Sequence, residues 1–409
     1  MDLAVFRALL TPSGQAVLQE ALALEPREVD FLGHFTSLRR RYPEALARAA
    51  LEIAILRREA TSKFPFAERM YFTRPALEQA TDYRVSTYRA QRFRPYERLV
   101  DLGCSIGGDT LPLAVLAPTL GVDLDPLRLV MAQANLAALG LEQHVGFIQA
   151  DLTSVLPTSK STKTGLFFDP ARRAGGRRIY SVRDYQPPLE KVQEWRVHHP
   201  ALGVKISPGV KLDELNAYQG EIEFISLHGD LKEAVLWFGP LMTAHRRATV
   251  LPGPYTMVAE PVPGNRTALP PDLPLSEPRA YLYEPDASVL RAGLVKTLGQ
   301  QLGAAQMDPD IAYLTADRLV ATPFGRAWQV EDWFPFGLKR LRAALRERNV
   351  GQVVVKKRGS PLQPEALIHD LRLSGDQQRL IFLTHLRGRP IVVLALPETL
   401  DVRGELTKP

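Results

Sequence analysis

Four short apolar runs in this chain end on aspartate, and those aspartates are where it could do chemistry. "RLVDLG" carries Asp101 and runs into the glycine-rich "CSIGGDT", "GVDLDP" carries Asp123, "FIQADL" carries Asp151, and "GLFFDP" ends on Asp169 and Pro170. Glycines Gly103, Gly107 and Gly108 allow the backbone after the first run to approach a ligand closely. Asp123 follows Asp101 by about 20 residues, a spacing at which an acid can accept both hydroxyls of a ribose. Asp151 is placed to accept a hydrogen bond from an adenine amine. A single aspartate at a strand end is ordinarily a helix N-cap. Three in succession, with glycine after the first, outline a nucleoside pocket. The glycine spacing is neither G-x-G-x-x-G nor a Walker motif, so it does not spell a phosphate cradle.

Asp169 and Pro170 offer a different function. A carboxylate and the carbonyl that follows it can accept the hydrogens of an amine and align its lone pair, so that positioning supplies much of the catalysis. Arg172, Arg173, Arg177, Arg178 and Arg183 come next, at the edge of the sheet where the phosphates of a large substrate would pass. Arg84, Arg89, Arg92, Arg94 and Arg98 precede the first run partly at helical spacing and read as a solvated helix face. Cys104, the one cysteine, falls inside the glycine loop and reads as a small pocket-wall residue. It cannot form an intramolecular disulfide, and no Cys/His spacing resembles a zinc site, so no metal is expected.

The elements that must position these residues follow from the pattern. From about residue 98, short apolar runs alternate with helical stretches, which predicts a doubly wound α/β sheet. "EIEFISLHG" and "EAVLWFG" are close enough to form an antiparallel hairpin. Residues 1–65 carry apolar positions at helical spacing, with Leu46, Ala50, Ile53 and Leu56 on one stripe, and read as a helical N-terminal region. The sheet domain is expected over 66–250 and a proline-rich linker over 251–280. An α+β domain is expected over 281–409, with helices near 287–305, 309–317, 337–349 and 364–371. A chain of 409 residues exceeds what one core usually serves. No apolar stretch would span a bilayer and no cleavable leader is evident, which points to a cytoplasmic protein without a membrane partner. The net charge of +6 fits either a polyanionic partner or plain solubility. In the C-terminal domain Lys339, Arg340, Arg342, Arg346 and Arg348 crowd one helix. "VVVKKRG" follows, with Lys356, Lys357 and Arg358 as a backbone-binding loop or a gatekept strand edge.

In order and spacing, "VDLGCSIGGDT", "GVDLDP", "QADL" and "FFDPARR" resemble motifs I to IV of class I S-adenosylmethionine-dependent methyltransferases, over roughly residues 70–245. The resemblance implies a Rossmann-like sheet and S-adenosylmethionine as cofactor. It implies that Asp101, Gly103, Cys104 and Gly107 lie around the methionine moiety, Asp123 and Leu124 at the ribose, and Asp151 and Leu152 near adenine. Amino-methyltransferases of this class commonly continue the fourth motif with a second proline and an aromatic, where this chain has Ala171 and Arg172. "DPARRAGG" also resembles the uracil-C5 RNA methyltransferases, but their catalytic cysteine is missing from "GVKISPG", which carries Lys205 and Ser207 instead. Uracil C5 is a poor nucleophile without a thiolate adding at C6, so that chemistry is excluded. Motif I and the preceding "LEQATDYRVSTYRAQRF" are similar to the trimethylguanosine synthase group. The stretch "VKKRGSPLQPEALIHDLRLSGDQQRLIFLTHLRGRPIVVLAL" resembles THUMP-like domains, which implies a module that docks RNA.

The expectation is therefore a methyltransferase acting on an exocyclic purine amine, guanine N2 or adenine N6, in structured RNA such as tRNA or rRNA. Asp169 and Pro170 would be catalytic, and Arg172, Arg173, Lys205, Lys356, Lys357 and Arg358 would face the RNA. A small-molecule or protein methyltransferase, and a non-catalytic RNA-binding protein that keeps the cofactor fold, remain the alternatives.

Overall fold

In the computed structural model the described residues are 1–154, 160–171, 173–174, 177–178, 181–259, 271–400 and 406–407. Capping sets the first helices. Asp2 accepts the Val5 N–H ahead of α1 (Leu3–Leu10), and Thr11 caps α2 (Pro12–Ala23), whose first turn holds Pro12. Pro43 separates α3 (Phe31–Leu38) from α4 (Glu44–Ala60), because the residue before a proline is pushed out of helical conformation. The predicted stripe holds, with Ala50, Ile53 and Leu56 buried in α4 against Phe6, Leu9, Val17 and Leu18. The same core takes in Ile106 from the first glycine loop and Leu111, Met131 and Leu136 from beyond it. The N-terminal helices are thus part of the packing behind the site.

Two compact units divide the chain. The first is Met1–Glu221 with Glu233–Thr243, and the second is Ile222–Lys232 with Ala244–Pro409. In the first, α5 (Arg74–Gln79) and α6 (Tyr83–Ala90) precede β1 (Arg98–Leu102), α7 (Thr110–Ala114), β2 (Thr119–Asp123), α8 (Pro126–Ala138), β3 (Val145–Gln149) and β4 (Thr164–Phe168). Two short strands, β5 (Arg173–Ala174) and β6 (Arg177–Arg178), form a ribbon before α9 (Lys191–Trp195) and β7 (Leu202–Ile206). β4, β1, β2 and β3 lie side by side, all parallel, with β7 parallel to β4 on the other side. β4 and β7 are buried at every position, as their unbroken apolar runs require when helices cover both faces of a sheet. The register pairs Asp101 with Gly121 and Phe167, which brings the carboxyl ends of these strands to one edge. This is the doubly wound α/β arrangement expected from the sequence.

β8 (Glu221–Leu227) leads through His228 and Gly229, both at positive φ, into β9 (Asp230–Phe238), and residues 234–238 of β9 run antiparallel to β7. In the second unit β8 is parallel to β10 (Arg246–Leu251), which pairs with β11 (Tyr255–Val258). The remaining elements are β12 (Tyr281–Pro285), α10 (Ala287–Ala292), α11 (Val295–Leu302), β13 (Ala305–Asp308), β14 (Ile311–Ala316), β15 (Gly325–Pro335), α12 (Leu338–Glu347), β16 (Val350–Lys357), α13 (Pro364–Leu371), β17 (Gln377–Leu386) and β18 (Arg389–Ala395). Their seven-stranded sheet has the order β13-β14-β12-β15-β18-β17-β16. Tyr313 and Trp328 pack on Phe382 in one core, while Leu341, Leu345 and Leu371 join Ile381 and Leu383 in another.

The helix expected at 309–317 is instead β14. Pro309 and Asp310 make a two-residue turn between antiparallel strands, with the Asp308 carboxylate accepting the Asp310 N–H, and "IAYLTA" is rich in strand-forming residues. β12, β13 and β15 were likewise not anticipated.

Close packing beneath the sheet gives a stability test. A Cβ on Gly165 would lie 2.6 Å from Phe93 Cδ1 and 3.1 Å from Leu99 Cδ2. Gly165→Ala is expected to destabilise by about 1–3 kcal/mol through overpacking, read as a lower midpoint in urea denaturation.

Candidate active site

The four aspartate-bearing strand ends meet. Gly103 and Cys104 donate their N–H groups to Val122 O at 2.8 and 3.0 Å, Ala150 donates to Asp123 O at 3.2 Å, and Asp169 donates to Leu102 O at 3.0 Å. Gly103 has φ +83°, and a Cβ there would stand 2.6 Å from the Asp169 carbonyl oxygen. Glycine is therefore required both for the left-handed backbone and for the approach of the fourth strand end to the first loop. Ser105 also sits in the left-handed region, at φ +48°.

Asp123 braces this loop. One carboxylate oxygen accepts the Ser105 N–H at 2.8 Å and the other the Asp125 N–H at 2.9 Å, while Asp125 caps α8. Leu124 is exposed. Asp151 is exposed too, and its Oδ1 accepts both the N–H and the hydroxyl of Thr153, bonds that lower its pKa. Leu152 beside it is buried.

Asp101 is fully buried. Its Oδ2 accepts the Thr110 hydroxyl at 2.6 Å, and its Oδ1 has no hydrogen-bond partner among the described residues. Burial, with the negative charge of Asp109 next, pushes its pKa up to about 8. A buried carboxylate oxygen left open beside a loop of close-approach glycines fits a ligand with a cationic hydrogen-bond donor, as the methionine end of S-adenosylmethionine is. Cys104 is buried, and desolvation raises its thiol well above the ordinary value, which keeps it in the unreactive thiol form.

At the fourth strand end Pro170 is buried and Asp169 is partly exposed. Asp169 Oδ2 accepts a hydrogen bond from Lys205 Nζ at 2.7 Å. Lys205, expected to face RNA, is only 3 % exposed and also reaches Thr81 Oγ1 at 2.7 Å, so it lies beneath the site rather than on the substrate side. Arg172 lies outside the described residues. Of Arg173 only the backbone, in β5, is described.

The structure corrects the reading of two of the arginines before β1, Arg89 and Arg92, while Arg84, Arg94 and Arg98 are exposed as expected. Arg89 is 2 % exposed, paired with Asp109 and, at 2.5 Å, with Glu233, and its guanidinium lies 4.0 Å from the centre of the Phe167 ring. Burial opposes the charge, but the two carboxylates outweigh it and hold the guanidinium above its usual pKa. Burial raises Glu233, whereas at Asp109 the same opposition is overcome by Arg89 and Lys205. Arg92 bridges to Glu221 at 2.7 Å. Arg89 is a buried structural charge and Arg92 a half-buried one, and neither belongs to a solvated face. Their partners lie 20 to 144 residues away in sequence, so helical spacing could not reveal them. Thr81, Asp109, Glu233 and the part played by Phe167 were missed for the same reason.

In the second unit Lys356 pairs with Glu284 at 2.5 Å and lies 4.8 Å from the Trp328 ring centre, and Lys357 reaches Leu362 O at 2.9 Å. Arg358, 3.5 Å from Glu284, lines a cavity of about 860 Å³ with His385, Arg387 and Ile311. Among the described residues no group of His, Cys, Asp or Glu could hold a metal ion, and no helix is long and apolar enough to cross a membrane.

Relatives of the chain bear on what this site is. It is 35% identical over 348 residues to an uncharacterized S-adenosylmethionine-dependent methyltransferase of Mycobacterium tuberculosis, covering 82% of this chain and 92% of the relative. The chain belongs to the S-adenosylmethionine-dependent methyltransferases, and S-adenosylmethionine is its cofactor. A putative methyltransferase from Porphyromonas gingivalis W83 has the same fold, with a TM-score of 0.73 at 21% identity, covering 91% of this chain and 99% of that one. Two shorter matches are to trimethylguanosine synthase of Schizosaccharomyces pombe (29% over 98 residues, 22% of this chain and 41% of the relative) and to the 23S rRNA (uracil(1939)-C(5))-methyltransferase RlmD of Shewanella sediminis (35% over 99 residues, 23% and 22%). Residues 325–397 match the family described as "THUMP domain-like", and residues 2–60 match a "Domain of unknown function (DUF8688)".

Two outcomes test the site's electrostatics. Asp101 binds its proton more tightly in the folded protein than in the unfolded chain. Its contribution to stability is therefore full below its ordinary value of 3.8 and is lost as pH rises towards about 8. Cofactor-free Asp101→Asn is expected to gain thermal stability relative to the unmodified protein as pH rises through that window. A constant difference in melting temperature would contradict this. Arg89→Met leaves Asp109 and Glu233 buried without their shared cation and is expected to cost about 3–5 kcal/mol in chemical denaturation.

Proposed function

We propose that this methyltransferase acts on an exocyclic amine of a purine, guanine N2 or adenine N6, in structured RNA such as tRNA or rRNA. The observation that carries this reading is the fourth strand end, where Asp169 and Pro170 abut the glycine loop through the Asp169 carbonyl. Asp101, Gly103, Cys104 and Gly107 would hold the methionine end of the cofactor, Asp123 and Leu124 the ribose, and Asp151 and Leu152 the adenine. When bound, S-adenosylmethionine supplies a methyl group on a positively charged sulfur. The Asp169 carboxylate and the Pro170 carbonyl accept the amine's hydrogens, which turns the nitrogen lone pair into line for attack. Once nitrogen carries the methyl group, its surplus proton passes to the carboxylate or to water.

The charges around this point favour a hydrogen-bond donor over an oxyanion as substrate. Among the described residues, four acids, Asp101, Asp109, Asp169 and Glu233, are linked by hydrogen bonds or charge to the cations Arg89 and Lys205. Uracil-C5 chemistry is disfavoured because Cys104, the one cysteine, is buried in the glycine loop. The THUMP domain-like match, the two RNA- or guanosine-named relatives and the net charge of +6 support RNA as substrate. In this reading residues 66–250 carry the chemistry and residues 281–409 dock the RNA in the cytoplasm, with Arg172, Arg173, Lys356, Lys357 and Arg358 facing it.

Total RNA from a strain lacking the protein is expected to take up tritiated methyl label from enzyme and cofactor. Asp169→Ala should lower the labelling rate by about 100-fold or more, while calorimetry shows retained cofactor binding. Label in a small-molecule or protein fraction, with none in RNA, would overturn the assignment.

A further inference from the structure

We propose that Lys205 is a positioning residue for methyl transfer. Its ammonium, anchored on Thr81, fixes the Asp169 carboxylate at the end of β4. The neighbouring strands place it there, because β4 and β7 are parallel with Phe168 opposite Val204, so Asp169 and Lys205 are the next residues along each. Lys205 Nζ lies 2.7 Å from Asp169 Oδ2 and 2.7 Å from Thr81 Oγ1, and the Thr81 hydroxyl donates onward to Asp109 Oδ2 at 3.3 Å. Thr81 lies between α5 and α6, so the anchor comes from outside the sheet.

Stability does not require the pair. β7 is buried from end to end, and replacing both partners of a buried ion pair by well-packed apolar groups is often neutral or stabilising, whereas removing one alone leaves the other unpaired and costs stability. What an apolar residue could not do is hold the carboxylate. The terminal torsion of aspartate is broad and roughly two-fold, so its oxygens are fixed only by an outside partner. A donor at one oxygen, itself held by a second residue, sets the plane in which the carboxylate meets the substrate. The role rests on reading Asp169 as the acceptor of the amine's hydrogens.

Lys205→Met, Lys205→Arg, Asp169→Asn and the Lys205→Met/Asp169→Asn double variant separate the possibilities, with tritiated cofactor and total RNA from a strain lacking the protein as probes. Lys205→Met is expected to lower the single-turnover rate by at least about 30-fold, with cofactor affinity by calorimetry and RNA affinity by filter binding unchanged. Lys205→Arg should recover part of the rate, which a purely structural defect would not predict. A Lys205→Met enzyme that turns over at the unmodified rate overturns the proposal. A substrate-free measurement decides it independently. The losses in urea midpoint from Lys205→Met and Asp169→Asn should add to more than the loss in the double variant, because the two groups share one interaction. Simple additivity means that the pair does not act together, and also overturns the proposal. Unmodified enzyme that labels no RNA, or full activity in Asp169→Ala, counts instead against the function proposed above. The urea cycle then still decides whether Lys205 holds Asp169.

Discussion

A guanidinium cut off from water and clasped by two carboxylates underlies the sheet edge where the four aspartate-bearing strands end. Arg89 comes from a helix before the sheet, Asp109 from the end of the first glycine loop, and Glu233 from β9 beside β7. A buried cation is tolerable only when nearby charges repay its lost hydration, so these three segments must come together for any of them to be stable. Phe167, against the guanidinium, adds the fourth strand to the same knot. The first glycine loop and the fourth strand are therefore tied to one charge.

From this knot a line of hydrogen bonds leads to Asp169 at the end of β4. Asp109 accepts from Thr81, Thr81 from Lys205, and Lys205 donates to Asp169. Asp101, with its open oxygen, lies within electrostatic reach of Arg89, Asp109 and Asp169. An interior of this kind is set before substrate arrives, so little reorganisation is left for the moment of transfer.

Much of this was legible in the sequence, and the part that was not shares a physical cause. Asp101, Asp123, Asp151 and Asp169 could be found because each follows a short apolar run, and the glycine at 103 announced a backbone that no other residue would adopt. The parallel sheet followed from the spacing of those runs. Arg89 was misread because its helical spacing with Arg92 looks the same whether the face meets water or an acid more than a hundred residues away. Lys205 was misread for a related reason: a lysine in an apolar strand reads as a substrate contact until its partners, Thr81 and Asp169, are seen. The strand Ile311–Ala316 was taken for a helix because short apolar runs fit either period, and the deciding turn, Pro309–Asp310, has only two residues.

The solitary thiol has a use apart from catalysis. Cys104 is enclosed in the glycine loop and 3 % exposed, and desolvation suppresses its reactive form. Any reagent that modifies this protein at a thiol must therefore wait for the loop to open. The chain carries a built-in clock for breathing of its glycine loop, with no second cysteine to blur the reading.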